Sequence, residues 1–203
     1  MNDCSLIIMT RTRDQTKYDA IVNTSIRLVN QLGFDGISIS KIAAQAKVSP
    51  ATIYIYFKNR EDLFTKIYTD IRNQIGQGAF DDIQDNLTIE DAFKTLCRGT
   101  FLYYLEHPDF VVYRERFEQT AMMQNVDEQG FGIYRFSNDL LQRGIKERII
   151  KDLPIPLLAS FAFVPIITLL RFHINGVLKL SERMISQVCE MAWNSIAEER
   201  NAK

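Results

Sequence analysis

The stretch KVSPATIYIYFKNRED, residues 47–62, decides the fold. Within it Tyr54, Ile55, Tyr56 and Phe57 follow one another directly, more apolar and aromatic surface than a solvent-facing helix ordinarily carries. Its start is strongly marked. Ser49 is placed as N-cap, Pro50 as first helical residue, and Val48 to staple against Ile53. On a helical wheel of about 100° per residue, Ile53 and Phe57 fall within about 40° of one another and form the inward edge. Ala51, Thr52 and Ile55 then face outward, with Tyr54 and Tyr56 on opposite shoulders of that face.

Working upstream, Ser38 caps a short helix, ISKIAAQA, whose Ile39, Ile42, Ala43 and Ala46 share one apolar side, and a turn follows at Lys47 and Val48. A longer first helix is predicted from Thr16, which pairs with Asp19 three residues on as a capping box, and Gly33 stops it. Downstream, Asn59 caps a fourth helix with Glu61 and Asp62 in its first turn.

Two short helices joined by a three- to four-residue turn form the helix-turn-helix arrangement, whose second helix enters the major groove. Small outer residues let that helix sit deep. Ala51 and Ile55 suit thymine methyls, and Thr52 suits a base edge or a phosphate. The phenols of Tyr54 and Tyr56 would reach phosphates on either wall, fixing register without reading sequence. Lys58 and Arg60 add charge beside the start of the fourth helix. The alternative is that both tyrosines only pack a small three-helix core.

Charge favours the first alternative. Residues 11–60 hold eight basic side chains (Arg11, Arg13, Lys17, Arg27, Lys41, Lys47, Lys58, Arg60) against three acidic ones (Asp14, Asp19, Asp35), a local +5. Residues 69–203 hold 15 basic and 19 acidic side chains, a net −4, in a chain whose overall charge is −1. A basic head on an acidic body is the asymmetry expected where one end meets a polyanion.

Residues 37–68, ISISKIAAQAKVSPATIYIYFKNREDLFTKIY, closely resemble the N-terminal domain of tetracycline-repressor-type (TetR family) transcriptional regulators. The resemblance rests on the Ser/Thr-capped helix with Ile-Ala, then Val-Ser, Thr-Ile-Tyr, Tyr-Phe, and two acidic residues before Leu. It implies that Ser49, Pro50, Ala51, Thr52, Tyr54, Tyr56 and Lys58 occupy DNA-contacting positions, with Arg60 beside them. The chain departs from the pattern at two places. Many relatives have glycine where Lys47 stands, so a non-glycine residue is expected in a left-handed conformation there, at about 1–2 kcal/mol. Ser40 stands where some relatives carry a base-reading arginine.

The 203 residues are 46% hydrophobic, enough for a sizeable core. The composition loosens at 76–86, GQGAFDDIQDN, and the boundary is placed there: residues 1–75 form the DNA-binding domain, with the fourth helix as connector, and residues 76–203 the body. In the body, Thr88 caps a helix running to about Glu106, Pro108 restarts the chain, Asn125 begins a long helix, and Ser181 caps the last. The expected fold is all-α, with about nine helices. By resemblance the body is an effector-binding and dimerisation domain whose last two helices, near 154–178 and 182–199, pair with those of a second copy. A homodimer would present two recognition helices to a pseudo-palindromic operator.

Residues 153–170, LPIPLLASFAFVPIITLL, carry no charge and just reach membrane-spanning length, but Pro154, Pro156 and Pro165 argue against a clean span. A buried or dimer-face helix is the preferred assignment. Aromatics at helical spacing in the body suit a core more often than a pocket, but the family resemblance implies an apolar or aromatic ligand cavity, with Phe101, Tyr104, Tyr113, Phe117, Tyr134, Arg171 and His173 as its expected lining. His173 is equally suited to a core position or to donating into that cavity, and His107, before Pro108, to capping or turning.

Cys4, Cys97 and Cys189 lie far apart in sequence, with neither a disulfide framework nor metal-type spacing, a usage that fits a reducing cytoplasm. The N-terminal segment lacks the shape of a secretory signal, and Met1 and Met9 are both candidate starts. No phosphate-binding glycine loop, nucleophile elbow or His-Glu metal pair appears, so neither cofactor, metal nor catalytic residue is expected. The expected function is a DNA-binding regulator, a repressor released by a small-molecule effector. Its rivals are a small-molecule-binding protein or enzyme that retains the helix-turn-helix as scaffold, and a membrane-associated helical protein.

Overall fold

The computed structural model describes the backbone of residues 4–80, 87–127 and 132–198, and side-chain surroundings for residues 15–75, 87–127 and 133–198. The side chains of the arginines at 11 and 13, and the expected boundary except for the backbone of residues 76–80, lie outside these. Among the described residues the elements are α1 (Cys4–Leu32), α2 (Ile39–Ala46), α3 (Pro50–Tyr56), α4 (Arg60–Phe80), α5 (Ile89–Glu106), α6 (Pro108–Glu118), a short 3-10 helix (Ala121–Asn125), α7 (Gly132–Lys146), α8 (Ile155–Ile174) and α9 (Glu182–Ile196). There is no strand among them, only an isolated antiparallel bridge between Ile150 and Ala197. The all-α class is as expected.

Side-chain caps start five of these helices. The oxygens of Ser38, Ser49, Asn59, Thr88 and Ser181 accept the backbone N–H of Lys41, Thr52, Asp62, Asp91 and Met184. Two expectations are corrected. α1 starts at Cys4, so Thr16 and Asp19 lie inside it rather than at a capping box; the Asp19 carboxylate instead accepts from Gln15 Nε2 at 2.8 Å. Asn125 ends the 3-10 helix instead of opening α7, and Thr120, before that helix, makes no capping side-chain bond.

The chain divides into two compact units, Met1–Thr69 with Val112–Val126, and Asp70–Val111 with Asp127–Lys203. In the first, Ile21, Leu28 and Val29 of α1, Ile42 of α2, Ile53 of α3 and Leu63 and Ile67 of α4 are buried. α1 ends at Gly33, whose φ of 74° suits glycine and whose N–H donates to the Val29 carbonyl at 2.9 Å. Phe34 then enters an aromatic cluster, edge-on to Phe64, Tyr113 and Phe117, with Tyr68 stacked on Phe117 at 4.5 Å. Its polar ends are satisfied: the Tyr113 hydroxyl donates to the Phe64 carbonyl and the Tyr68 hydroxyl to Glu118.

In the second unit α5 is the central helix, burying Phe93, Leu96, Cys97, Phe101 and Tyr104, and it packs against α7, α8 and α9. α8 buries a ridge at four-residue spacing, Leu158, Ala162, Ile166 and Leu170; α9 buries Ile185, Cys189, Ala192, Trp193 and Ile196. The chain between α7 and α8 is held to the end of α9 by Lys151 N–H donating to the Ile196 carbonyl and Glu198 N–H to the Ile149 carbonyl, both at 2.9 Å. Gly144 lies so close to Ile150 that a β-carbon there would come within 2.4 Å of its Cδ1.

Candidate nucleic-acid interface

α2, the turn and α3 are assembled by local chemistry. Lys47 ends α2 at φ 56° and ψ 40°, the left-handed conformation foreseen for it, and its N–H turns back to the carbonyls of Ala43 and Ala44. Val48 N–H donates to the Ala43 carbonyl at 3.0 Å. Ser49 then sits extended at φ −76° and ψ 151°, its hydroxyl 2.9 Å from that of Thr52 as well as capping the Thr52 N–H. Pro50 opens α3 without losing a backbone bond.

The two faces of α3 separate cleanly. Ile53 and Phe57 are 0% and 1% exposed, so α3 is seated on the core by both its predicted inward residues. On the other side Ala51, Tyr54 and Ile55 are exposed, Tyr54 by 55% and Ile55 by 74%, while Thr52 is half-buried. Burial of Ile53 and Phe57 holds α3 in place, while Ile55 keeps in reserve the roughly 1.5–3 kcal/mol that covering its side chain would contribute.

The two tyrosines differ. Tyr54 stands free of the core, whereas Tyr56 is half-buried, its ring edge-on to Tyr18 of α1 at 5.6 Å, and Tyr18 in turn stacks on Phe57 at 5.5 Å. The cations differ too. Lys58 is exposed, and its backbone N–H is held by Asp62 Oδ2 at 2.8 Å. Arg60 is drawn inward: Nη1 donates to the Ile37 carbonyl at 3.1 Å and the guanidinium lies over the Phe64 ring. Exposed Lys17, Lys41 and Lys47 lie in the same unit.

Sequence reasoning missed Lys66. Its Nζ donates to the Tyr56 carbonyl at 3.1 Å, at the C-terminal end of α3, and pairs with Asp62 at 3.1 Å while lying 5.4 Å from the Phe57 ring centre. A cation there complements the negative end of the helix. The four-residue spacing from Asp62 was visible; the reach to Tyr56 was not. Partial burial raises the Asp62 pKa, but the Lys58 N–H and the Lys66 ammonium outweigh it and hold the carboxyl below its ordinary value.

Of the residues expected to line an effector cavity, four are fully buried and two are exposed. Phe101 and Tyr104 are buried on α5 in the second unit, but Tyr113 and Phe117 belong to the aromatic core of the first. Tyr134 on α7 and Arg171 on α8 are exposed. His173 takes neither a plain core role nor a donor role: its Nδ1 accepts the Leu180 N–H at 3.0 Å and closes the turn after α8. His107 is the C-cap of α5. Among the described residues no three His, Cys, Asp or Glu side chains converge to hold a metal ion.

Residues 21–67 match the family described as bacterial regulatory proteins, tetR family, and residues 88–197 match the tetracyclin repressor-like C-terminal domain. A solved TetR family transcription regulator from Marinobacter aquaeolei VT8 superimposes with a TM-score of 0.83 at 28% identity, covering 93% of this chain and 100% of that one. The fatty acid metabolism regulator protein of Bacillus subtilis (strain 168) is 27% identical over 139 residues, 67% of this chain and 72% of its own length. The crystal structure of the Bacillus subtilis regulator FadR in complex with stearoyl-CoA shares the fold, with a TM-score of 0.72 at 20% identity over 87% of this chain and 96% of that one. With one match covering the helix-turn-helix and another more than half of the chain, the protein belongs to the tetR family of bacterial transcriptional regulators.

Proposed function

We propose that the protein is a cytoplasmic homodimeric repressor that binds a pseudo-palindromic DNA operator and releases it when a small-molecule effector binds the C-terminal body. The observation that carries this is the division of α3, seated by Ile53 and Phe57 and open along Ala51, Tyr54 and Ile55. Residues 1–75 are the DNA-binding part, with α4 as connector, and residues 76–203 the effector-binding and dimerisation part. Ala51, Thr52 and Ile55 meet base edges. Ser49, Pro50, Tyr54, Tyr56 and Lys58 position the helix against phosphates, and Arg60 mainly fixes the start of α4 from its bond to Ile37.

Homodimerisation is supported by the outer side of α8. This helix is long and apolar enough to span a membrane, but it buries one ridge in the second unit and leaves Leu157, Phe161, Val164 and Phe172 exposed, with Met191 exposed on α9. An apolar strip of this kind on a DNA-binding protein is best covered by its own copy about a two-fold axis. The effector class to test first is a long-chain acyl thioester, because the matched Bacillus subtilis relative is a fatty acid metabolism regulator and the FadR structure holds stearoyl-CoA.

The test is fluorescence anisotropy of the full chain on duplexes tiled across the DNA flanking its own gene, at low and moderate salt, with and without stearoyl-CoA. The reading requires one duplex bound well above the others, with affinity falling when effector is added. Equal, salt-labile binding to every duplex would refute a specific operator; specific binding indifferent to acyl thioesters would refute that effector class.

A further inference from the structure

We propose that Cys97 and Cys189 are an oxidative modification site, at which hydrogen peroxide joins the two thiols in a reversible disulfide that pins α5 to α9. Both cysteines are free, and they are 0% and 3% exposed. The two helices pack antiparallel, and their register is set by neighbours. Phe93 and Trp193 meet with ring centres 5.6 Å apart, and one turn further along α5 and one turn back along α9 stand Cys97 and Cys189. Lys94 pairs with Glu190 on one side of the pair, and Arg98 with Glu182 at 2.6 Å on the other. This register sets the two buried thiols against each other across the α5–α9 seam, close enough that each perturbs the other's ionisation.

The pair is chemically asymmetric. The contact with Cys97 lowers the Cys189 pKa; burial opposes this, and the positive charges of Arg98 and Lys94 assist it. The contact with Cys189, together with burial, raises Cys97. Cys189, 3% exposed against 0% for Cys97 and with the charges of Arg98 and Lys94 beside it, is the sulfur peroxide reaches first, and Cys97 the resolving one. The Cys189 thiolate attacks one peroxide oxygen, the O–O bond breaks, and the departing hydroxide takes up a proton, leaving a sulfenic acid. Cys97 sulfur then attacks the Cys189 sulfur; the S–S bond forms, the S–O bond breaks, and the Cys97 proton leaves with the hydroxyl as water. In total two thiols lose two electrons to one peroxide, giving a disulfide and two waters. Two buried cysteines that served only as small apolar side chains would have no reason to give this linked product.

The experiment treats the reduced full chain, and a Cys4→Ser chain in parallel, with hydrogen peroxide, blocks free thiols with a maleimide, and maps tryptic peptides with and without dithiothreitol. Cleavage after Lys94, Arg98, Arg183 and Arg200 isolates the two cysteines on peptides 95–98 and 184–200. The expected result is one linked peptide of these two, about 2 Da lighter than their sum and restored by dithiothreitol, within a monomeric chain on a denaturing gel. The Cys4→Ser chain should behave identically. The thermal midpoint of the oxidised form should rise by about 5–10 °C, because the bridge closes a long loop. Sulfinic acid on Cys189 with Cys97 still blocked by maleimide would overturn the proposal, as would linkage only through Cys4 or between chains, or two thiols that survive peroxide unlinked.

Discussion

Replacing Lys47 by glycine relieves a strain that lies at the hinge of the helix-turn-helix. Lys47 holds φ 56° and ψ 40°, where a β-carbon costs about 1–2 kcal/mol against the following carbonyl. Glycine removes that cost but gains about 0.4–1 kcal/mol of freedom in the unfolded chain, so Lys47→Gly should stabilise by about 0.5–1 kcal/mol. For a chain of this size the thermal midpoint then rises by about 1–4 °C. Locally, exchange of the Val48 amide, bonded to the Ala43 carbonyl, should slow about two- to fivefold if it opens with this unit. Lys47→Ala is the necessary comparison. It also removes the ammonium but keeps the β-carbon in the same strained conformation, so it should lie within about 0.5 kcal/mol of the parent. Both variants should weaken DNA binding alike if the exposed ammonium meets a phosphate, each reducing the salt slope by about 0.9. A Lys47→Gly chain no more stable than Lys47→Ala, measured by thermal unfolding and hydrogen exchange together, would refute the strain argument.

Further tests follow from the same geometry. On the operator, Tyr54→Phe and Lys58→Ala should weaken binding to all sequences, while Thr52→Ala changes the preference among base variants at about 1–3 kcal/mol; anisotropy across a mutated operator set separates the two behaviours. Phe161→Glu, on the exposed side of α8, should leave the chain folded but monomeric in analytical ultracentrifugation and weaken operator binding more than it alters the circular dichroism. Gly144→Ala should destabilise by about 1–3 kcal/mol, because the new methyl meets the Ile150 side chain within 2.4 Å, and denaturant titration reads this directly. Asp62, whose pKa is below its ordinary value of 3.8, contributes stability that is present above that pH and lost as the pH falls through the lower folded value; Asp62→Asn should remove that acid-side loss in a pH series of melts.

The elements whose ends are chosen by side-chain chemistry were legible in the sequence. Ser38, Ser49, Asn59, Thr88 and Ser181 each cap the helix expected of them, because an N-cap depends on residues three apart. The same local rule misled at Thr16, where Thr-x-x-Asp occurs in the interior of a longer helix and no neighbouring signal marks the difference. The seating of α3 on Ile53 and Phe57 was legible from periodicity. The fates of Arg60 and Lys66 were not, since the carbonyls they bond, Ile37 and Tyr56, lie 23 and 10 residues away and are chosen by tertiary packing. Tyr113 and Phe117 show the same limit at larger scale. A helical pattern identifies an apolar face without naming its neighbour, and theirs is Phe34, on the far side of the domain boundary expected from composition.

The single indole of the chain, Trp193, is buried and faces Phe93 where α5 and α9 meet, whereas tyrosines occur in both units. Selectively excited indole emission is therefore an optical gauge of the C-terminal body alone, blind to melting of the DNA-reading head. Phenol emission and far-ultraviolet dichroism report on both. Comparing the midpoints of these signals in one melt gives a label-free measure of whether the two halves of the regulator come apart together or in succession.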